Sequence, residues 1–365
     1  MKKKLKVALY FQSLSRQGGG AEKNIVWLAN KLNKNNFEVH LLSWDKFEDR
    51  SFYHISDGIN WHKMQDNNQK KNKIGKFFTA FKIFKKYKIR VLIGFVISGD
   101  GTLILASILN QVKIICAERN EPSMYEILYS PLRKRINFTY MFFSNYIIVQ
   151  QNIFKKLYPL ILQNKILTIP NPVFKEEEIT SVKQICNFKK ILFIGRLDEN
   201  QKRPMILLKA FNKIKNEIPG WKLHFVGDGN QKKIMEDYIK NNDLISKVRI
   251  FNSSTNTINF YNNSSIFVST SLWEGFPNAL AEAMSKGLAC IGASDSLAIK
   301  NLLKKNCGWL VDNLKEDNLS KELVKCVFHK EERLKRGINA KNEINKYNPN
   351  KIYKYWEKII LSFNN

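Results

Sequence analysis

The chain has 365 residues, 44% of them apolar, with 60 Lys and Arg against 32 Asp and Glu and a formal net charge of +28. That length suits two domains of ordinary size, each with its own core, and the apolar share excludes a disordered or fibrous chain. The surplus of positive charge asks for an anionic partner, either nucleic acid or an anionic membrane surface.

Lys6-Val7-Ala8-Leu9-Tyr10-Phe11 reads as a first strand. The segment is basic and then apolar, but Gln12-Ser13 ends it too soon for a secretory leader. Gly18-Gly19-Gly20 leads into a helical pattern starting near Ala21, with Ile25, Val26, Leu28, Ala29 and Leu32 on one side, and Phe37 to Leu42 is the next strand. Strand, glycine loop, helix and strand in this order predict an α/β fold with a parallel, helix-covered sheet.

Between Lys70 and Arg90, Ile74, Phe77, Phe78, Phe81, Phe84 and Tyr87 recur at helical spacing among Lys73, Lys76, Lys82, Lys85, Lys86 and Lys88. Two interpretations stay open: a crossover helix whose aromatics pack on the sheet, or a helix at a membrane whose lysines meet lipid headgroups or pyrophosphate. Further strands are expected at 91–96, 112–116 and 146–149. The longest apolar stretch, Val91 to Asn110, is broken by Ser98-Gly99-Asp100-Gly101, which argues against a membrane span.

Pro170-Asn171-Pro172 and the acidic run Glu176-Glu177-Glu178 mark a linker. The expected organisation is therefore a first domain over 1–170, a second over 171–346, and a helical segment over 347–365 that carries Tyr355, Trp356, Ile359 and Ile360. The second domain opens like the first, with a strand at 190–194, a Gly195-Arg196 turn, a helix from Pro204 to Ile214, and a strand at 221–226 closed by Gly227-Asp228-Gly229. Cys116, Cys186, Cys290, Cys307 and Cys326 are odd in number and lack Cys-x-x-Cys spacing, as expected of reduced, buried thiols. His40 and His224 lie in apolar runs and read as core or rim residues. No Asp-x-Asp or clustered His, Cys and carboxylate spacing points to a metal, so none is expected.

The most informative segment is Ser271 to Met284. Ile266-Phe267-Val268 is a buried strand, the loop after it contains Gly275, and Pro277 can open a helix because its missing N–H is an orphan at the first turn. Gly287 would stop that helix. Backbone N–H groups at such a start form a site for a diphosphate. Glu274 lies before the helix and Glu282 inside it, and Pro277 to Glu282 rises about 7–8 Å. Acids on either side of a diphosphate match the layout of a nucleotide sugar: sugar, two phosphates, ribose. At the end of the 190–194 strand, Arg196 and Lys202 add a bidentate guanidinium and a mobile ammonium for phosphate oxygens.

Glu-x7-Glu within Glu-Gly-Phe-Pro-Asn-Ala-Leu-Ala-Glu-Ala-Met resembles the signature of glycosyltransferase family 4, retaining enzymes of the GT-B fold. The resemblance implies two Rossmann-like domains facing each other across a cleft, with acceptor in the first and nucleotide sugar in the second. It also implies a C-terminal helix crossing back to the first domain. Glu274 would hold donor-sugar hydroxyls and Glu282 the ribose, with Gly275, Phe276, Pro277, Asn278 and Ala279 around the diphosphate. Arg196 and Lys202 resemble the family's diphosphate ligands. Their spacing is one residue longer than the commonest, which makes Arg203 a second candidate. Gly19 and Gly20 resemble the N-terminal glycine loop, and Gly227 the turn lining the nucleotide. Arg119 stands in Glu118-Arg119-Asn120-Glu121-Pro122 where many relatives carry His. The donor's own phosphate oxygen is thought to take the acceptor proton in such enzymes, which makes an enzymic base unnecessary.

The implied function is transfer of a hexose or N-acetylhexosamine from a nucleoside diphosphate sugar, UDP-linked, to a lipid-linked oligosaccharide. No cofactor or metal beyond that co-substrate is expected. The partners would be donor, lipid-linked glycan and an anionic membrane surface at the cytoplasmic face, with no nucleic acid. The alternatives are a GT-B sugar-nucleotide epimerase and a basic nucleic-acid-binding protein, although no nucleic-acid motif accompanies the charge.

Overall fold

A computed structural model describes residues 4–15, 19–65, 73–174, 181–254 and 256–364. The chain divides into two compact units: unit 1 is Met1–Pro172 with Asn350–Asn365, and unit 2 is Val173–Pro349. The acidic run at 176–178 lies outside the described residues.

Among the described residues, unit 1 is built on a seven-stranded sheet of β1 (Lys6–Tyr10), β2 (Glu38–Lys46), β3 (Asn60–Gln65), β4 (Val91–Phe95), β5 (Lys113–Ala117), β6 (Tyr146–Val149) and β7 (Ile166–Thr168). The order is β3-β2-β1-β4-β5-β6-β7, with neighbours parallel. Its helices are α1 (Gly20–Lys34), α2 (Lys73–Tyr87), α3 (Gly101–Leu109), α4 (Met124–Leu128), α5 (Pro131–Phe142) and α6 (Leu160–Gln163). Right-handed crossovers sort these helices by direction of travel. The step from β1 to β2 runs one way along the sheet and puts α1 on one face. The steps β3 to β4, β4 to β5, β5 to β6 and β6 to β7 run the other way and put α2 to α6 on the opposite face.

Unit 2 has α7 (Val182–Ile185), then a six-stranded parallel sheet of β8 (Lys190–Ile194), β9 (Lys222–Val226), β10 (Val248–Phe251), β11 (Ile266–Ser269), β12 (Ala289–Ala293) and β13 (Trp309–Val311), in the order β10-β9-β8-β11-β12-β13. Its further helices are α8 (Pro204–Ile214), α9 (Lys232–Asn241), α10 (Ile258–Asn262), α11 (Asn278–Lys286), α12 (Leu297–Leu303), α13 (Glu316–Phe328) and α14 (Lys330–Ile344). The helix expected from 347 begins at Pro349 as α15 (Pro349–Leu361), after a short 3-10 turn at Asn345–Tyr347. Ile352, Trp356 and Ile360 of α15 join Ile25, Leu28 and Leu32 of α1 in the core of unit 1, over Val7, Leu9, Val39 and Leu41 of the sheet.

Helix α2 buries only Ala80 and Phe84, and Phe78 is half exposed. Its lysines divide. Lys76 turns inward, pairs with Asp100 and stands 4.3 Å over the Trp44 ring, whereas Lys82, Lys85, Lys86 and Lys88 are exposed. The carboxyl end of α2 is held by Tyr87, whose ring packs at 4.8 Å on His40 and 4.9 Å on His62. The two imidazoles lie on neighbouring strands, Nδ1 of His40 and Nε2 of His62 being 3.0 Å apart, and Glu38 is 3.2 Å from His40 Nε2. Burial lowers the pKa of His40, and burial together with nearby His40 and Lys86 takes His62 from 6.5 to about 4. The unfolded chain thus takes up protons below 6.5 that the folded one refuses. Stability from this pair is complete above about 6.5 and is lost as pH falls toward 4. His62→Gln is expected to flatten the decline in melting temperature over that interval, and an unchanged slope by scanning calorimetry would contradict the assignment.

Candidate active site

Strand order in unit 2 reverses between β8 and β11, the switch point at which open parallel sheets bind ligands. The loops leaving these two strands carry the candidate residues. Gly195-Arg196-Leu197 leaves β8. Leu197 is fully buried, its N–H donating to the Asp228 carbonyl at 3.0 Å, and the Gly195 N–H donates to the Val226 carbonyl at 3.1 Å. The loop after β9 runs alongside so closely that a Cβ on Gly227 would stand 2.0 Å from the Gly195 carbonyl oxygen. One on Gly229 would stand 2.3 Å from the carbonyl oxygen of Leu197. The Gly-Asp-Gly turn is thus a spacer, and only glycine lets the two backbones approach this far. Asp228 between them accepts from the Ser253 N–H at 2.7 Å and from Lys232 at 3.2 Å.

Arg196 stays at the surface with its side chain 69% exposed, donating from Nη2 to Gln201 Oε1 at 2.6 Å. Gln201 in turn donates from Nε2 to the Trp273 carbonyl at 3.0 Å and accepts at its own carbonyl from the Leu272 N–H at 2.8 Å. The Thr270 hydroxyl donates to the Lys202 carbonyl at 2.6 Å. Three consecutive residues therefore latch the β8 loop to the β11 loop. The third is Arg203, which takes a left-handed backbone (φ 51°) as the cap of α8. Its guanidinium donates to the Thr270 carbonyl and to Asp295, each at 2.9 Å. These partners make Arg203 a bridge between the loops that follow β11 and β12. Lys202 instead reaches Glu274 Oε1, in an ion pair whose side chains are only 20% and 10% exposed.

Helix α11 begins at Asn278, one residue later than expected. Pro277 is its cap residue, its carbonyl accepting from the Ala281 N–H at 2.9 Å. No side chain caps this terminus, and first-turn amides have no carbonyl within the helix to pair with, so the start of α11 has the polarity of an anion site. Gly287 ends the helix in the left-handed conformation, φ 80°. Phe276 offers no side chain to this loop, since its ring is buried and packs edge-on to Tyr347 at 5.1 Å. Gly275 and Pro277 are buried, and Asn278 and Ala279 half-buried. Glu282, half-buried on α11, lies 3.0 Å from the Tyr261 hydroxyl, which is also 3.1 Å from the Ala279 carbonyl. Gln201 and Tyr261 belong to no motif and left no signal in the sequence; Gln201 meets Arg196 within the β8 loop, and Tyr261 meets Glu282 from α10, the helix that precedes β11.

Gly19, Gly20 and Arg119 belong to unit 1. Gly19 precedes α1 in an extended conformation, where a Cβ would meet the Glu22 carboxylate at 1.8 Å, and Gly20 opens the helix. Gly18 lies outside the described residues. Arg119 follows β5, its guanidinium carbon 3.6 Å from the centre of the Phe95 ring and its Nη1 donating to Asn171 at 3.0 Å. Loss of solvation pulls its pKa down to about 9, with Glu118 opposing. Glu118 is buried, accepts from the Tyr125 hydroxyl at 2.5 Å, and has its pKa raised by burial. Among the described residues, no group of three or more His, Cys, Asp or Glu could hold a metal ion, and no helix is long and apolar enough to cross a membrane.

Residues 175–343 match the family model described as glycosyl transferases group 1. The chain is 30% identical over 251 residues to an uncharacterized glycosyltransferase of Methanocaldococcus jannaschii, covering 62% of this chain and 61% of that one, less than two thirds of its length. It is 27% identical, over 99% of each chain, to the GalNAc-alpha-(1->4)-GalNAc-alpha-(1->3)-diNAcBac-PP-undecaprenol alpha-1,4-N-acetyl-D-galactosaminyltransferase of Campylobacter jejuni. In fold it is similar to Anabaena HepE in complex with UDP-glucose, with a TM-score of 0.80 and 15% identity over 98% of this chain and 100% of that one. The two parallel sheets are those of GT-B glycosyltransferases of known structure. The match to the glycosyl transferases group 1 model lies in unit 2.

Gly227→Ala is expected to cost unit 2 about 1–3 kcal/mol by forcing the two loops apart. Asn230→Ala, on the exposed side of the same turn, should leave the melting temperature unchanged. Calorimetry on both variants checks the spacer role.

Proposed function

We propose that the protein transfers a hexose or N-acetylhexosamine from a UDP-sugar, with retention at the anomeric carbon, to a lipid-linked oligosaccharide. The reaction would serve surface polysaccharide or glycan assembly at the cytoplasmic face of the plasma membrane. The observation that carries this is the Lys202–Glu274 pair, four residues before the uncapped start of α11. It sets a cation for a diphosphate and an acid for sugar hydroxyls beside a helix terminus with the polarity of an anion site. The UDP donor is supported by the UDP-glucose complex of HepE, and the lipid-linked acceptor by the name of the Campylobacter jejuni enzyme.

In this mechanism Glu274 orients the donor sugar and Glu282, steadied by Tyr261, takes the ribose. Exposed Arg196, Lys202 and the first turn of α11 stabilise the charge that gathers on the departing diphosphate. The bond from the anomeric carbon to phosphate oxygen breaks, and the acceptor oxygen bonds to the same face of that carbon. The acceptor's proton passes to an oxygen of the leaving phosphate, so no side chain is assigned as base. No metal is assigned either.

The experiment is release of nucleoside diphosphate from a panel of UDP-, GDP- and ADP-sugars, with and without lipid-linked acceptor extract. Acceptor-stimulated release from one donor is expected, abolished in Glu274→Ala. Arg196→Ala and Lys202→Ala should each lower kcat by about 10²–10³-fold. Glu282→Ala should raise the donor KM more than it lowers kcat. Donor turnover without a glycoside product would instead identify an epimerase. Absence of release from every donor, with salt-sensitive nucleic-acid binding, would overturn the transferase mechanism proposed here.

A further inference from the structure

The layer α2 to α6 on one face of the unit 1 sheet has a composition that a water-exposed surface does not need. Helix α3 is Gly-Thr-Leu-Ile-Leu-Ala-Ser-Ile-Leu, without a charged residue. Leu103, Ile104, Ala106 and Ser107 are its buried side, and Leu105, Ile108 and Leu109, the last 58% exposed, are the side turned outward. A helix apolar all round is expected in a core or a membrane, not at a surface.

The elements that follow repeat the pattern. Leu132 at the start of α5 is 70% exposed, and Phe142 and Phe143 at its end are about half exposed. Leu160 and Ile161 of α6 are 83% and 66% exposed, just beyond the 3-10 turn Asn152–Leu157, which carries Lys155 and Lys156. These elements are continuous. Helices α2 and α3 pack together, α5 packs on the 3-10 turn Ile97–Gly99 that leads into α3, and α6 packs on α5. A Cβ on Gly101, the first residue of α3, would meet the Tyr140 ring of α5 at 2.4 Å.

Basic residues dominate this stretch. From Lys73 to Lys165, strands included, there are fifteen Lys and Arg against four Asp and Glu, and of the fifteen only Arg119 is set against Phe95 and Trp356. Of those four acids, Glu118 and Glu121 are buried, Asp100 pairs with Lys76, and Glu126 pairs with Lys134. Outward leucines, isoleucines and phenylalanines among unopposed lysines and arginines form a surface for an anionic lipid interface.

We propose that the outer face of α3, α5 and α6, flanked by the exposed lysines of α2, docks unit 1 on an anionic bilayer. Leu105, Leu109, Leu160 and Ile161 enter the headgroup layer, and Lys82, Lys85, Lys155 and Lys156 lie on lipid phosphates. The inference deepens the membrane partner of the proposed function by naming the surface that meets it. The lysine-rich α2 is then a flank of the docking face, with its Lys76 turned inward.

Co-sedimentation of the full chain with vesicles, in the absence of donor and acceptor, tests the proposal. Binding is expected to phosphatidylglycerol vesicles, to weaken with salt, and to be negligible on phosphatidylcholine. Leu105→Glu with Leu109→Glu, and separately Leu160→Glu with Ile161→Glu, should each weaken it by about tenfold or more. Melting temperatures and turnover of a water-soluble acceptor should be unchanged. Vesicle binding as strong in both variants as in the parent would overturn the docking face. So would a parent that ignores anionic vesicles but forms a dimer dissociated by Leu105→Glu with Leu109→Glu, which would assign the face to a second copy. Loss of turnover in the parent, with vesicle binding intact, would count against the transferase mechanism alone.

Discussion

Two loops held together at the switch point between β8 and β11 are the constraint on which the site depends. Parallel strands bring the loops to one edge of the sheet but do not fix their spacing. Gln201, Lys202 and Arg203 fix it by exchanging hydrogen bonds with Thr270, Leu272 and Trp273, mostly backbone to side chain. Each such bond contributes only about 0.5–1.5 kcal/mol net. Set in three consecutive residues, they leave the loops few other arrangements. The Lys202–Glu274 pair sits within this frame, largely withdrawn from water. Such a pair adds little to stability, because desolvation offsets most of the attraction, but losing either member strands the other charge. Its effect is to hold opposite charges in place just before the start of α11.

Where local chemistry decided the structure, the sequence was legible to the residue. The apolar run Lys190–Ile194 is β8, and Pro204 opens α8 as its fixed φ allows. Strands β3, β7, β10, β12 and β13 left no such signal. Strand β3 is a polar edge strand, Asn-Trp-His-Lys-Met-Gln, and β7 has three residues. Strand β12, Ala-Cys-Ile-Gly-Ala, has little intrinsic strand preference, yet its sheet neighbours and α12 bury it completely, so close that a Cβ on Gly292 would meet Ile299 at 2.3 Å. The site divides the same way. Arg196, Lys202, Glu274 and Glu282 stand out as motif residues, but the pairing of Arg203 with Asp295, far along the chain, left no such signal. Gly227-Asp228-Gly229 was legible as a turn, whereas its use as a spacer depends on a neighbouring loop.

The Glu118-Arg119 dipeptide shows how adjacent charges part company. Glu118 turns into the core beneath Tyr125, where Ser98 lies 3.1 Å from the tyrosine hydroxyl and Cys116 reaches the carboxylate. Burial favours its protonated form, which suits a structural acid. Arg119 turns the other way onto an aromatic shelf made by Phe95 and, at 5.7 Å, Trp356 of α15. Its guanidinium thus rests partly on a residue more than two hundred positions away.

That dependence on α15 orders events during synthesis. Unit 1 is interrupted in the chain by the whole of unit 2, and one wall of its core is made only after Pro349. On the ribosome, unit 2 has all its strands and helices available while unit 1 still exposes the sheet face that Ile352, Trp356 and Ile360 will cover. The nascent chain must carry that apolar face through the translation of every residue of unit 2, and chaperones would meet it there.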